Sequence, residues 1–280
     1  MLYSFEVFPP KPNTPVEAVS SSFAELAALR PDFISVTYGA GGGLNGGKLT
    51  CELCARLKNE FGVKPVAHLP SISYTKEEIA AVLAEFQAAG ITDILALRGD
   101  KSPDRPAKDD FRYASELIDF IRSKGEFKIY GACYPETHPE ARSSADDLRH
   151  LKEKVDKGAS HLISQLFFDN ASFYDFREKC ELISIDVPIE AGIMPVVNAA
   201  QIQRMVSLCG ASLPRKFTAM MQRFGHSPEA MRDAGIAYAV DQIVDLAANG
   251  VDGIHLYTMN NPLVARRITE AVSGILGRAQ

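Results

Sequence analysis

Residues 65–97 read PVAHLPSISYTKEEIAAVLAEFQAAGITDILAL and contain a complete strand–helix–strand unit. Both ends are short runs rich in apolar residues, which predicts buried strands. Between them, Thr75 and Glu78 have the spacing of a capping box, and Gly90 stands where the C-terminus of a helix is expected. The helix predicted between these signals carries an apolar stripe at Ile79, Val82, Leu83 and Phe86.

The same unit recurs along the chain, roughly every 25–35 residues. Helical periodicity separates the β-rich runs, and Leu213–Asn249 adds helical material before the last one. Eight such units predict an α/β fold, a single-domain (β/α)8 TIM barrel over residues 1–280 with extra helices before the last strand. The predicted strands are Tyr3–Phe8, Phe33–Tyr38, Pro65–Leu69, Asp93–Leu97, Lys128–Tyr134, His161–Phe167, Pro188–Met194 and Gly253–Tyr257.

A doubly wound open sheet is the alternative fold. Such a sheet normally has G-x-G-x-x-G after its first strand, whereas Pro9 and Pro10 follow the first strand here. Gly42-x-x-x-x-Gly47-Lys48 comes close to a P-loop, but Leu49 stands where a Ser or Thr must bind magnesium. We therefore favour the barrel and expect the glycine-rich stretch to be a loop beside the substrate.

Composition and charge exclude several classes of protein. Thirty basic and 35 acidic residues give a net charge of −5, which argues against a nucleic-acid partner. The N-terminus lacks the features of a signal peptide, and no apolar run is long enough to span a membrane. Five scattered cysteines suit a reducing compartment, so we expect a cytoplasmic protein. Cys51 and Cys54 form a C-x-x-C without a histidine at zinc-site spacing, and we expect no metal there.

In a TIM barrel, functional residues lie at the carboxyl ends of the strands. The predicted ends lack a Schiff-base lysine, a metal-ligand cluster and a serine nucleophile elbow. Their hydrogen-bonding groups suit a heterocycle, which predicts an enzyme whose organic cofactor supplies the chemistry. The polar residues at these ends are Glu6, Thr37, Tyr38, His68, Arg98, Asp100, Tyr134, Glu136, Gln165, Asn198, Tyr257 and Thr258.

Eight motifs, in order along the chain, carry a resemblance to a known family. They are Phe5–Pro10, Val36–Ala40, Ala96–Asp100, Tyr134–Glu140, Lys154–Ala159, Gln165–Asp169, Gly192–Pro195 with Asn198, and Leu256–Asn260. Together they resemble methylenetetrahydrofolate reductases of the short bacterial type. The resemblance implies an FAD-binding barrel that reduces 5,10-methylenetetrahydrofolate to 5-methyltetrahydrofolate with NADH or NADPH, by a ping-pong mechanism, and so supplies methyl groups for methionine synthesis.

The resemblance also assigns roles to individual residues. Glu6 matches the general acid, and its apolar neighbours in sequence favour the protonated carboxyl. Asp100 matches the aspartate beside the flavin and the pterin. The cofactor-binding positions are Thr37, Tyr38, His68, Arg98, Gly99, Asp100, Tyr113, Ala114, Ala132, Tyr134, His138, Asp147, His150 and Lys154. The substrate-binding positions are Glu6, Gln165, Gln201 and Tyr257.

Four positions depart from the family pattern. Asn261 replaces an arginine that contacts the folate tail, and Met205 replaces an aromatic residue of the folate and nicotinamide site. His150 and Glu153 differ from the usual residues at the adenine end of the cofactor. These departures affect affinity and the identity of the electron donor more than the class of reaction.

Two alternatives stay open. A protein partner could deliver the electrons in place of a free nicotinamide, or the chain could be a folate- or flavin-binding subunit without catalytic activity. The presence of Glu6 argues against the second, because a protein that only binds has no use for a general acid. The sequence does not distinguish NADH from NADPH, and we expect a homo-oligomer with small-molecule substrates.

Overall fold

The strands close into a parallel barrel in which each pairs with the next along the chain, in the order β1 to β8. The computed structural model describes residues 1–10, 15, 17–38, 43–101, 105–198, 202, 205–206 and 209–277. The closed barrel confirms the predicted fold class and excludes the open sheet. The strands are β1 (Leu2–Val7), β2 (Phe33–Val36), β3 (Pro65–Pro70), β4 (Asp93–Leu97), β5 (Lys128–Cys133), β6 (Ala159–Ser164), β7 (Ile189–Ile193) and β8 (Gly253–Tyr257).

The helices follow the strands as the periodicity predicts. α3 has the predicted capping box of Thr75 and Glu78, and its predicted apolar stripe is buried. Within the part of the chain that the structure describes, two helices with assigned bounds lie between β7 and β8, which confirms the extra helical material there. The helices of the described residues are α1 (Glu17–Ala27), α2 (Gly43–Phe61), α3 (Lys76–Ala88), α4 (Ala114–Lys124), α5 (Ser144–Asp156), α6 (Asn170–Leu182), α7 (Arg215–Phe224), α8 (Pro228–Ala248) and α9 (Pro262–Val272).

The sixth strand ends earlier than the sequence predicts. The apolar run to Phe167 suggested a strand over His161–Phe167, but β6 stops at Ser164. The residues beyond it are buried for another reason: Phe167 stacks on Phe173 of α6, with ring centroids 5.1 Å apart. The run therefore combines the end of a strand with the start of a helix-packing cluster, and Gln165 directly follows the strand.

The chain divides into two units, each built from separate segments. One comprises Met1–Tyr3, Cys133–Leu151 and Ile163–Gln280, and the other comprises Ser4–Ala132 and Lys152–Leu162. We call them the β7–β8 unit and the β2–β5 unit. The assignment of residues 1–280 to a single domain stays a prediction. Within the described ranges, no helix is long and apolar enough to cross a membrane.

A polar network lies at the start of three strands in the β2–β5 unit. The Lys64 ammonium lies 2.7 Å from Oδ1 of the buried Asp93, and the hydroxyl of Tyr130 donates to the same oxygen at 3.3 Å. Tyr130 also packs against Phe33 and His161, with ring centroids 5.4 and 4.8 Å away. At the amino ends of barrel strands such a network serves stability.

Candidate functional site

Glu6 of β1 and His68 of β3 form a buried pair in the β2–β5 unit. Oε2 of Glu6 lies 3.5 Å from Nε2 of His68, and the two residues are 8% and 6% exposed. The apolar sequence neighbours Phe5 and Val7 are fully buried, but successive strand residues point to opposite sides of the sheet. The surroundings of the Glu6 carboxyl are therefore set by residues of other strands, His68 among them, rather than by its neighbours in sequence.

The turn after β4 is fixed by its contacts with the end of β3. Gly99 has φ +86°, and a Cβ atom on it would lie 2.9 Å from Cβ of Pro70. The backbone N–H of Ile72 donates to the carbonyl of Arg98 at 2.7 Å, and Nε of Arg98 donates to the carbonyl of Gly99 at 3.1 Å. Asp100 is exposed beyond this turn. The turn therefore presents an acidic side chain at the carboxyl end of β4.

The predicted cofactor residues after β2 have partners of their own. The carbonyl of Thr37 accepts a hydrogen bond from the hydroxyl of Thr50 at 3.2 Å. The ring of Tyr38 packs edge-on against Tyr74, with centroids 5.8 Å apart. Burial and the neighbouring Tyr74 raise the pKa of Tyr38 far above its usual range, so its hydroxyl stays protonated.

Three further predicted positions lie at or on helices and belong to the same unit. Tyr113 is the residue before α4 and is 47% exposed, and Ala114 begins that helix. Nζ of Lys154 on α5 donates to the carbonyl of Ala132 at 2.5 Å. This bond holds a half-buried cation at the end of β5, where it can meet an anionic ligand.

In the β7–β8 unit, Tyr134, His138 and Asp147 lie together after β5. The rings of Tyr134 and His138 are 4.6 Å apart, and Oδ2 of Asp147 accepts from the backbone N–H of His138 at 2.9 Å. Nδ1 of His138 accepts from the N–H of Glu140 at 3.0 Å. Because Nδ1 is an acceptor here, the neutral ring carries its proton on Nε2, which is a donor.

Two details of α5 differ from the sequence prediction. The helix begins at Ser144, but its capping bond runs from the N–H of Asp146 to Oγ of Ser143. Ser144 and Asp147 have the spacing of a capping box in the sequence, but the carboxylate of Asp147 accepts from the backbone N–H of His138 instead. Nε2 of His150 lies 3.9 Å from Oδ2 of Asp146 on the same helix.

Gln165 is oriented by its own backbone. Its Oε1 accepts from the N–H of Leu166 at 2.9 Å, which fixes the orientation of the amide and leaves both N–H donors of the NH2 group for a ligand. A side-chain amide can pair with a pterin through one donor and one acceptor. Gln201, the other predicted folate amide, lies outside the described residues.

A network that the sequence did not reveal supports Gln165. The hydroxyl of Tyr257 donates to the carbonyl of Ser164 at 2.8 Å, and Oγ of Ser164 accepts from the N–H of Gly192 at 2.9 Å. A Cβ atom on Gly192 would lie 2.2 Å from the Ser164 carbonyl oxygen. The hydroxyl of Tyr257, predicted to contact the substrate, is thus engaged with the strand that precedes Gln165.

A cavity of about 210 Å³ lies at the ends of β7 and β8 in the same unit. Two of the four departures, Met205 and Asn261, line it together with Met194, Asn198 and Thr258. Oδ1 of Asn261 accepts from the N–H of Val264 at 3.2 Å, so this side chain caps α9. A methionine-lined cavity with polar groups at its edge suits a flat ring with polar substituents.

The structure also describes two other motifs of the sequence, the C-x-x-C of Cys51 and Cys54 and the near-match to a P-loop at Gly42–Lys48. Cys54 is fully buried, and burial raises the pKa of the thiols of both Cys51 and Cys54, so neither is a ready thiolate. Over the described ranges, no group of three His, Cys, Asp or Glu side chains could hold a metal ion. Gly47 and Lys48 lie in α2, which begins at Gly43, so the predicted loop is wrong for residues 43–48. Gly42 is outside the described residues.

Comparison with known proteins identifies the family. Residues 1–273 match the family model described as methylenetetrahydrofolate reductase. The chain is 37% identical to 5,10-methylenetetrahydrofolate reductase of Pectobacterium carotovorum over 92% of this chain and 85% of that protein. It is 35% identical to methylenetetrahydrofolate reductase (NADH) 1 of Arabidopsis thaliana over 92% of this chain and 46% of that one.

A solved structure supports the fold. An uncharacterized protein from Clostridium thermocellum that binds two copies of 5-methyl-5,6,7,8-tetrahydrofolic acid superposes with a TM-score of 0.66. The match covers 98% of this chain and 94% of that one, at 13% sequence identity, and so supports the barrel alone. The family match over nearly the whole chain is the decisive finding: the chain belongs to the methylenetetrahydrofolate reductase family.

Proposed function

We propose that this chain reduces 5,10-methylenetetrahydrofolate to 5-methyltetrahydrofolate, with FAD as bound cofactor and NADH or NADPH as electron donor, and so supplies methyl groups for methionine synthesis. The observation that carries the proposal is the buried Glu6 carboxyl, 3.5 Å from His68, in a chain of this family. The name of the Arabidopsis relative favours NADH. A homo-oligomer in the cytoplasm belongs to the same proposal.

The donors at the strand ends fit a flavin dinucleotide. Lys154 holds its ammonium at the end of β5, which suits a diphosphate, and His138 has an Nε2–H donor beside the ring of Tyr134. The carboxylate of Asp147 orients the segment that carries His138, because it accepts from the backbone N–H of that residue. When bound, FAD supplies two-electron chemistry that no side chain of the protein provides.

Glu6 is the proton donor in this proposal. The Glu6 carboxyl protonates the folate so that its methylene bridge opens to a reactive iminium, and addition of a hydride to the iminium carbon then gives the methyl group. His68 lies on the Oε2 side of the carboxyl and restricts its orientation. Because Glu6 is 8% exposed, few water molecules compete for its proton.

Asp100 and Gln165 bind the folate in different ways. The exposed Asp100 places a negative charge where the pterin and the cofactor meet, and it accepts hydrogen bonds from the pterin. Gln165 donates through its NH2 to a pterin acceptor, since Leu166 occupies its carbonyl. In a ping-pong cycle the nicotinamide leaves before the folate enters, so these residues meet one ligand at a time.

An anaerobic titration tests the proposal. We expect the purified protein to carry or take up FAD, to lose flavin absorbance on addition of NADH, and to regain it on addition of methylenetetrahydrofolate. Flavin that stays oxidised with both nicotinamides but supports folate reduction with a chemical reductant would indicate electrons from a protein partner. A protein that takes up no FAD would overturn the proposal.

A further inference from the structure

Glu136 joins two segments that are far apart in sequence. It lies in the connection from β5 to α5, between Tyr134 and His138, and its Oε2 accepts a hydrogen bond from the backbone N–H of Ser212 at 2.9 Å. The two residues are 76 positions apart. Ser212 is exposed and lies just before α7, in the segment that follows Met205.

A second contact brings the same segments together. Gly210 has φ +72°, and a Cβ atom on it would lie 3.1 Å from Cγ of Pro139. The next residue, Ala211, is buried in the hydrophobic cluster that includes Met194 and Phe217. The 209–212 segment is thus held between this cluster and the loop that carries Glu136.

The loop around Glu136 is strained. Thr137 has φ +72°, a region that β-branched residues rarely adopt. Oε1 of Glu136 is buried and accepts no hydrogen bond from any residue that the structure describes. Strained backbone and an unsatisfied buried carboxylate oxygen both cost stability, and they persist where the surrounding structure or function requires them.

We propose that Glu136 is a positioning residue: its bond to Ser212 keeps the segment that carries Met205 in fixed register with the loop that carries Tyr134 and His138. The inference rests on the proposed function, in which the loop binds the cofactor. Met205, at a position that the resemblance assigns to the folate and nicotinamide site, lines the cavity at the ends of β7 and β8. Glu136 itself touches neither ligand. Through this hydrogen bond, a ligand that orders the loop with Tyr134 and His138 also orders the segment that carries Met205.

Hydrogen–deuterium exchange of the flavin-free protein tests the bond directly. Glu136→Ala should raise the exchange rate at the Ser212 amide by about tenfold, because a hydrogen bond to a carboxylate is lost. Glu136→Gln keeps an acceptor at the same place and should retain most of the protection. Glu181→Gln, an exposed carboxylate on α6, is the matched control and should leave this rate unchanged.

Adding FAD then tests the coupling. In the wild type, FAD should slow hydrogen exchange further across residues 209–214, and in Glu136→Ala it should not. In steady-state kinetics, Glu136→Ala should have a KM for the folate about fivefold higher or more, at a similar kcat. Unchanged exchange at Ser212 in Glu136→Ala, or equal responses of that variant and the wild type to FAD, would overturn the inference. If Glu136→Ala does not fold, Glu136→Asp shortens the side chain and tests the same bond. A wild type that binds no FAD would refute the proposed function, while the flavin-free exchange would still test the bond.

Discussion

The side-chain carbonyl of Gln165 accepts a hydrogen bond from the backbone N–H of Leu166 at 2.9 Å, which fixes the orientation of the amide and leaves both N–H donors of its NH2 group for a ligand. An amide in solution presents a donor and an acceptor equally well. Here the hydrogen bond from Leu166 holds the carbonyl oxygen and so fixes the orientation of the amide. Gln165, a predicted substrate-binding position, therefore has its amide oriented by the backbone of the next residue.

Gln165→Glu tests this orientation. The carboxylate of the variant still accepts from Leu166, so the local structure should hold, but the two donors are replaced by an acceptor. We expect the KM for methylenetetrahydrofolate to rise about tenfold or more, since a buried hydrogen bond is replaced by repulsion between two acceptors. Steady-state kinetics measures it. A KM unchanged within twofold in a folded variant would mean that the NH2 does not contact the folate.

Glu6→Gln separates the two half-reactions. Glutamine keeps the size of the side chain but cannot donate a proton as an acid, so folate reduction should fall by about 10²- to 10⁴-fold. Flavin reduction by the nicotinamide needs no such proton and should stay within a few-fold of the wild type. Stopped-flow absorbance measures both steps. Equal loss in both half-reactions would assign Glu6 to cofactor binding or structure instead.

Asp100→Asn should raise the flavin potential. A negative charge beside the cofactor opposes the addition of electrons, and the exposed position of Asp100 weakens this effect by solvent screening. We expect an increase of about 10–30 mV for the two-electron couple. A redox titration with a reference dye measures it. Asp109→Asn, an exposed carboxylate further along the same connection, is the control and should leave the potential unchanged.

Gly192→Ala should destabilise the β7–β8 unit. The new Cβ would lie 2.2 Å from the Ser164 carbonyl oxygen and 2.8 Å from Cε2 of Tyr257, so both partners must shift. We expect a loss of about 1–3 kcal/mol in the free energy of unfolding, measured by urea titration. Gly274→Ala, where a Cβ meets no atom within 4 Å, should change it by less than about 0.5 kcal/mol. Equal losses in the two variants would contradict the close approach.

The parts of the molecule that the sequence predicts are the local ones. A capping box such as Thr75 and Glu78 is complete within four residues, and the order of strands follows from repeated strand–helix units. The contacts that orient the site are long-range. The bond from Tyr257 to Ser164 spans 93 positions, and neither residue carries a local signal for it.

The positions of the predicted site residues came from motif resemblance, and their chemistry came from the structure. The resemblance places Tyr257 beside the substrate, but its hydroxyl is bonded to Ser164. Likewise, Asp147 has the spacing of a capping residue, yet it accepts from His138 across a nine-residue separation. Sequence spacing does not reveal which of two possible partners a carboxylate takes, because that depends on how the loop folds back.

Asp245 of α8 links its helix to α6. Its Oδ2 accepts from Nδ2 of Asn170 at 2.7 Å and from the hydroxyl of Tyr174 at 2.6 Å. The hydrogen bonds from Asn170 and then Tyr174 hold the pKa of the Asp245 carboxyl below its usual value. Burial and the bond to Asp245 in turn raise the pKa of Tyr174 to about 12.

The lowered pKa of Asp245 sets the pH range in which its hydrogen bonds to α6 stabilise the fold. A carboxyl whose pKa is lower in the folded state stabilises the fold above its unfolded pKa, about 3.9, and loses that contribution as pH falls through the folded value. Asp245→Asn should therefore reduce the free energy of unfolding at pH 7 by about 1 kcal/mol, since the site is exposed. The difference from the wild type should shrink as pH falls below about 4.

Urea titrations at pH 7, 5 and 3.5 measure this difference in the free energy of unfolding. Asp241→Asn is the control for a single surface ion pair, because the exposed carboxylate of Asp241 pairs with Lys216. A difference that is constant across these pH values would mean that the loss reflects helix packing rather than the ionised carboxylate.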